Sequence, residues 1–196
     1  YLSKNHFDLI ELHNRPIMVK HFAKSTNSKI VLYIHNDPKT MKGSKTKSEK
    51  LFLLDKVDKI VFISKWIKKQ FFSNLEFKDH HKVEVIYHSI EPIKKICKKK
   101  KQIIFVGKLN EAKGYDLFCE AVGKVLNKYS DWKAFSVGDE KRFNEYQTHK
   151  KHKNLGLLEN KKVLKIFQES EIAVIPSRWE EPFGRTALES SSCGCA

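Results

Sequence analysis

Glu171-Ile-Ala-Val-Ile-Pro-Ser-Arg-Trp-Glu-Glu-Pro-Phe-Gly-Arg-Thr-Ala-Leu-Glu189 carries three structural signals in succession. Ile172 to Ile175 is an apolar, β-branched run stopped by Pro176-Ser177, and it reads as a short buried strand. Arg178 to Gly184 is a loop, broken by Pro182 and Gly184. From Arg185 the residues favour helix, with an end expected near Cys193-Gly194. A strand, a loop and a helix start define the place where open α/β sheets bind ligands, outside the carboxyl ends of their strands. The unpaired N–H groups and positive dipole end of the helix suit an anion such as phosphate.

Two carboxylates bracket this turn, Glu181 in the loop and Glu189 on the helix. An ionised carboxylate only accepts hydrogen bonds and can take two at once. A vicinal diol supplies two adjacent donors, so one acid for each sugar of a nucleotide sugar is a chemically sensible pairing. A structural alternative exists for each acid. Thr186-x-x-Glu189 also has the spacing of a capping box that closes a helix N-terminus, and Glu181 also fits an ordinary solvated loop acid.

Outward from this segment the strand–helix alternation continues. Phe7–Leu12, Lys29–Ile34, Lys59–Ile63 and Val83–Tyr87 read as strands, with helices expected over 17–23, 51–57 and 65–72, the last capped by Ser64. Thr40 to Ser48 reads as a mobile, Lys/Ser/Thr-rich loop. Gln102–Val106 and Trp132–Val137 continue the strands, Asn154 to Leu158 is short and hydrophobic, and 161–170 reads as helix. Tyr115–Lys128 reads as an amphipathic helix with Leu117, Phe118, Ala121, Val122 and Val125 as its buried stripe. This alternation argues for doubly wound α/β domains. The Lys-rich run Lys94-Lys-Ile-Cys-Lys-Lys-Lys-Lys101 is expected to be an extended, solvated linker, giving domains at 1–92 and 102–196 joined by 93–101.

Glu181-Pro-Phe-Gly-Arg-Thr-Ala-Leu-Glu189 resembles the E-x7-E signature of family 4 glycosyltransferases, retaining enzymes of the GT-B fold. Gly107-Lys-Leu-Asn-Glu-Ala-Lys-Gly114 is similar to that family's Gly-Arg-Leu-x-x-x-Lys-Gly motif, with Lys108 in place of the usual arginine. Lysine lacks the bidentate fork, so its phosphate grip is less directional. The resemblance is firm over 102–196 and weaker over 1–90, where Val85-Ile-Tyr-His-Ser-Ile90 departs from the family's Val-Ile-Pro-Asn-Gly-Val-like closing segment. It implies a GT-B architecture of two Rossmann-like domains, both incomplete here.

The resemblance also implies roles. Glu181 faces the donor sugar and Glu189 the nucleotide ribose. Gly107, Phe183, Gly184, Arg185 and Thr186 lie along the sugar and diphosphate. Lys108 and Lys113 stabilise the charge of the departing diphosphate. His35 lines the sugar site, although a turn histidine bonded to Asp37 or to backbone fits the same residue. Leu155, Gly156 and Leu157 hold the base through their backbone, and Arg15 is an acceptor or phosphate contact. The implied reaction transfers a sugar from a nucleotide-diphosphate-sugar to a hydroxyl of a glycan or lipid-linked acceptor, in cell-surface glycan or glycolipid synthesis. No essential metal or other cofactor is expected.

Composition fits a cytosolic globular chain: 40% hydrophobic residues, 11% aromatics, and no apolar run near the roughly 20 residues of a membrane span. Cys97, Cys119, Cys193 and Cys195 lack paired metal spacing and read as small buried or neutral residues, while His149 and His152 read as solvated. The net charge of +15 is nearly all lysine and spread along the chain, which fits compositional bias or a peripheral contact with the anionic inner face of the cell membrane better than nucleic acid. The chain starts at Tyr1 without Met and stops at Cys193-Gly-Cys-Ala196, so it reads as a fragment, inactive by itself. Two rivals remain: a basic membrane- or nucleic-acid-binding α/β module, and a nucleotide-sugar binder without chemistry.

Overall fold

A computed structural model describes residues 7–91, 93, 97–140, 146 and 149–196. The chain divides between Ser89 and Ile90 into two compact units, and each is built on its own four-stranded, all-parallel sheet.

The first unit runs β1 (Leu9–His13), a 3-10 turn (Pro16–Met18), α1 (Val19–Ser25), β2 (Lys29–Ile34), α2 (Lys47–Lys56), β3 (Lys59–Phe62), α3 (Lys65–Phe72) and β4 (Val83–Val85), in spatial order β1-β2-β3-β4. Ile60, Val61 and Phe62 are all buried, as expected of an inner parallel strand covered on both faces. The Ser64 hydroxyl accepts from Ile67 N at 3.2 Å and starts α3, which buries Ile67, Phe71 and Phe72.

Two expectations are corrected in this unit. The segment 40–48 is not a loose loop. The buried Ser44 hydroxyl donates to Pro38 O at 2.8 Å, and Thr46 with Glu49 forms a capping box that starts α2 at Lys47, before the expected Leu51. Gly43, at φ +90°, lies against the turn after β1, where an added Cβ would stand 2.5 Å from Ile17 N. Only glycine fits there. The fourth strand stops at Val85, before the expected Tyr87.

The second unit runs β5 (Lys100–Val106), a 3-10 turn (Glu111–Lys113), α4 (Tyr115–Lys128), β6 (Lys133–Val137), β7 (His152–Asn154), α5 (Asn160–Glu169), β8 (Ser170–Ala173) and α6 (Arg185–Ser192). Its order is β7-β6-β5-β8. Part of the expected linker is therefore strand: Lys100 and Lys101 open β5 and pair with Glu169 and Asp131. Lys99 donates to the carbonyls of Cys193 (2.6 Å) and Phe167 (3.0 Å), so it too belongs to this unit. Pro92 and 94–96 lie outside the described residues.

The buried stripe of α4 is Tyr115, Phe118, Cys119, Val122 and Leu126, rotated from the expected one, and Leu117 is exposed. His152 is buried, against expectation, with Nε2 3.1 Å from Ser136 Oγ, and Cys97 is exposed. Ile172 and Ala173 do sit in the last strand, which begins two residues earlier, at Ser170, directly after α5.

Candidate functional site

The chain leaves β5 outward through β6 and β7, then returns to the opposite side of β5 as β8. The gap between the carboxyl ends of β5 and β8 is thus the topological switch point, where open sheets place ligands. Two loops meet there, Gly107–Gly114 and 174–184. Ala112 O accepts from both Arg178 N (3.0 Å) and Trp179 N (3.2 Å). The Arg178 guanidinium forks onto Asp116 at 2.7 and 2.6 Å, which holds that carboxyl below its usual range. Gly114, at φ +70°, lets the loops touch, since a Cβ would stand 2.0 Å from Pro176 O.

The cavity formed at this junction measures about 130 Å³ and is lined by residues of both loops, by the end of β5 and by the start of α6. Within it the Lys113 ammonium is paired directly with Glu181. Both side chains are about 30% exposed. Ser177 Oγ donates to the same Glu181 oxygen at 3.1 Å, and Lys113 Nζ lies 5.9 Å from the centre of the Trp179 ring. Gly184 (φ +79°) opens α6 without any side-chain cap, so the first-turn amides there face no capping oxygen. The capping-box alternative for Thr186 and Glu189 is therefore not formed. Glu189 is 7% exposed and accepts at Oε1 from Arg185 Nη2 (2.9 Å) and Asn160 Nδ2 (3.3 Å).

Of the residues singled out from sequence, the cavity gathers Gly107, Lys113, Glu181, Gly184, Arg185 and Thr186. Lys108 is exposed and, like Phe183 and Glu189, is not part of its lining. Leu155, Gly156 and Leu157 form the turn after β7, on the same carboxyl edge. Gly156 O accepts from Gly138 N at 2.9 Å, and the Leu157 side chain is 74% exposed. Ser177, Arg178, Trp179 and Asn160 were missed. Their contacts with Glu181, Asp116, Lys113 and Glu189 join distant parts of the chain or depend on loop geometry, and only Ser177, at a strand end beside Pro176, offered a local cue.

In the first unit His35 follows β2, and its ring nitrogens lie 3.1 Å from His13 Nδ1 and 3.4 Å from His88 Nε2. His13 stacks flat on Tyr33, with ring centroids 4.6 Å apart. Burial, then the charges of His88 and His13, push the pKa of His35 down and favour the neutral imidazole. The alternative of a turn histidine bonded to Asp37 is not what forms: the ring contacts His13 and His88, and the backbone His35 N donates to Asn14 Oδ1 at 3.2 Å. Arg15 lies at the end of β1, beside the 3-10 turn. Among the described residues no group of three or more His, Cys, Asp or Glu is arranged to hold a metal ion, and no helix is long and apolar enough to cross a membrane.

The sequence profile of the family described as "Glycosyl transferases group 1" matches residues 88–196. The chain belongs to that family. It is 27% identical to the putative glycosyltransferase YtcC and 25% identical to spore coat protein SA, both of Bacillus subtilis (strain 168), each over 98% of this chain. It spans only 55% and 59% of the length of those relatives. Among solved structures, Anabaena Alr3699/HepE in complex with UDP-glucose is similar with a TM-score of 0.72 and 17% identity, over 99% of this chain and 60% of that protein. TarM gives 0.72 and 13%, over 100% of this chain and 42% of TarM. These likenesses establish the fold: two parallel-sheet Rossmann-like units of the GT-B class.

Proposed function

We propose that this chain carries the donor site of a retaining, metal-independent glycosyltransferase of the family 4 type. The observation that supports this most is the acid–cation pair Glu181–Lys113 inside a cavity at the switch point of the second sheet, beside an uncapped helix start. Glycosyl–phosphate cleavage leaves a diphosphate whose growing charge needs fixed positive groups. Lys113 and the first amides of α6 supply them. A diphosphate oxygen would compete with Glu181 for the Lys113 ammonium, and the released carboxylate would then accept from the hydroxyls of the donor sugar. Ser177 holds that carboxylate in place during the exchange.

Lys108 adds charge from the loop edge. Glu189, held by Arg185 and Asn160, presents its second oxygen to the ribose hydroxyls. The backbone of Leu155–Leu157 contacts the base, and His35 is the first unit's candidate donor to a sugar hydroxyl, through a ring N–H that would have to exchange its contact with His13 or His88. The HepE structures carry UDP-glucose and UDP, so a uridine nucleotide sugar is the first donor to try. The acceptor is a glycan or lipid-linked hydroxyl, in cell-envelope synthesis at the cytoplasmic side.

The test is equilibrium binding, because the chain spans little more than half of its relatives. A panel of nucleotide sugars is titrated by thermal shift against the native chain and Lys113→Ala. Stabilisation by one or more donors that falls at least tenfold in affinity on substitution supports the proposal. Equal affinity in both, or stabilisation by none, overturns it.

A further inference from the structure

Three histidine rings of the first unit stand edge to edge at the carboxyl end of its sheet. Side chains two apart on a strand share a face, which groups Glu11 with His13 on β1 and Tyr33 with His35 on and just beyond β2. His13 and Tyr33 are register partners as well as stacked rings. His88 reaches the same place from the chain after β4. The contacts run in one line: Glu11 Oε2 to His13 Nε2 at 3.4 Å, His13 Nδ1 to His35 Nε2 at 3.1 Å, and His35 Nδ1 to His88 Nε2 at 3.4 Å. Each histidine pair has its ring centroids 5.4 Å apart, so the facing nitrogens lie between the rings.

Both nitrogens of His35 are thus engaged, and a neutral imidazole has only one N–H. The acid at the end of the row settles which nitrogen carries it. A carboxylate only accepts, so a neutral His13 donates to Glu11 from Nε2 and accepts at Nδ1. His35 then donates from Nε2 and accepts at Nδ1, and His88 donates from Nε2. Glu11 also bonds the Tyr33 hydroxyl.

One added proton reverses the links between the rings. His13 is roughly half exposed and open to solvent. A charged His13 keeps Glu11 and donates from Nδ1 as well, so His35 accepts at Nε2 and carries its own proton on Nδ1. The charge rests on His13, since burial and the charges of its two neighbours hold His35 neutral. Other charged groups face the row: Glu84 acts on Tyr33, while Arg15 and Lys42 share a cavity wall with His13. The acids favour the added proton and the two cations oppose it, and Glu11 is the acid in contact with His13.

We propose that His13, steered by Glu11, is a positioning residue that decides which ring nitrogen of His35 carries the proton. Histidine at 88 is one of the departures from the family's closing segment, so the full row is a feature of this chain. The control of the tautomer needs no ligand; only its use rests on the glycosyltransferase reading. A sugar hydroxyl that displaces His13 meets a donor, Nε2–H, in the neutral row and a bare acceptor in the charged one.

The test is long-range nitrogen–proton NMR of the histidine rings in the 196-residue chain without ligand. Imidazole nitrogen shifts report which nitrogen carries the proton. At about pH 8 the Nε2–H form of His35 is expected to dominate by about tenfold or more, the scale of one charge-assisted hydrogen bond. Towards about pH 5.5 it should convert to Nδ1–H, with one midpoint shared by the rings of His13, His35 and His88. Glu11→Gln should lower the tautomer ratio severalfold. His13→Phe, which keeps a ring on Tyr33, should abolish the conversion. Glu84→Gln, a charge outside the row, should change neither. Unchanged amides of β2 and β3 confirm that each variant is folded.

The native chain alone overturns the proposal if His35 keeps one tautomer throughout, becomes doubly protonated instead of converting, or titrates with a midpoint of its own. A ratio that Glu11→Gln leaves untouched, or that Glu84→Gln lowers equally, overturns it too. UDP-glucose is titrated into the same samples and read at the amides of 184–187. A missing response there, with the conversion intact, would sink the donor-site reading and leave the row standing.

Discussion

At the scale of single residues, Lys113 and Glu189 make opposite demands on experiment. Lys113 is about 30% exposed at the cavity and paired with one acid, so its removal should spare the fold. In a catalytically competent form carrying this chain, Lys113→Ala is expected to lower kcat by about 100-fold or more, the scale of losing one fixed donor to a developing anion. A near-native rate would remove it from the mechanism. Glu189 is buried against Arg185 and Asn160, and Glu189→Ala leaves both without their partner. Nucleotide affinity and thermal stability should fall together, and a loss of stability with nucleotide affinity unchanged would make Glu189 a structural residue only. Gly107, Lys113, Glu181 and Thr186 were singled out through the two motifs that resemble the family's, and the structure gathers all four at one cavity. Arg178 was not, since its forked partner Asp116 is distant in sequence and nothing local marks either residue.

At the scale of elements, the strands were readable wherever β-branched residues ran together, as in Lys29–Ile34 and Lys59–Phe62. The short strand His152–Asn154 was not. Lysines at 150, 151 and 153 hide its one inward-facing position, so its histidine looked solvated. The α4 stripe was misplaced for a related reason: Tyr115 and Cys119 carry polar groups yet face the core, while Leu117 faces water. Buried His152 has a pKa pushed down by burial, and its Nδ1 has no hydrogen-bond partner among the described residues. An unfolded histidine takes up its proton near pH 6.5 and the folded one only at lower pH, so the unfolded state binds more protons between those values. The second unit should lose stability as pH falls through that window. Amide exchange of β6 at pH 7.5 and 5.5 measures the loss, and His152→Phe should flatten it. A slope unchanged by the substitution would assign the dependence elsewhere. Gly114→Ala, forced against Pro176 O, is expected to cost about 2 kcal/mol or more in denaturant unfolding.

At the scale of the whole molecule, a net charge of +15 is carried on lysines spread over both units, and many, such as Lys100, Lys101 and Lys124, already face an acid. Attraction to anionic vesicles should therefore be weak and lost between about 50 and 300 mM salt, as screening lengths fall below about 10 Å. Retention at high salt would point to apolar insertion instead. Chelation is expected to leave donor binding intact, and abolition by a chelator would contradict the metal-independent proposal. The junction through Ala112 O, which accepts from two successive amides of the facing loop, reaches further than chemistry. Neither segment can change length without dragging the other out of place, so the two should be inherited as a matched set. Grafting 107–114 alone from a distant relative should give a misfolded or inert hybrid, whereas exchanging it together with 174–186 should restore a working one.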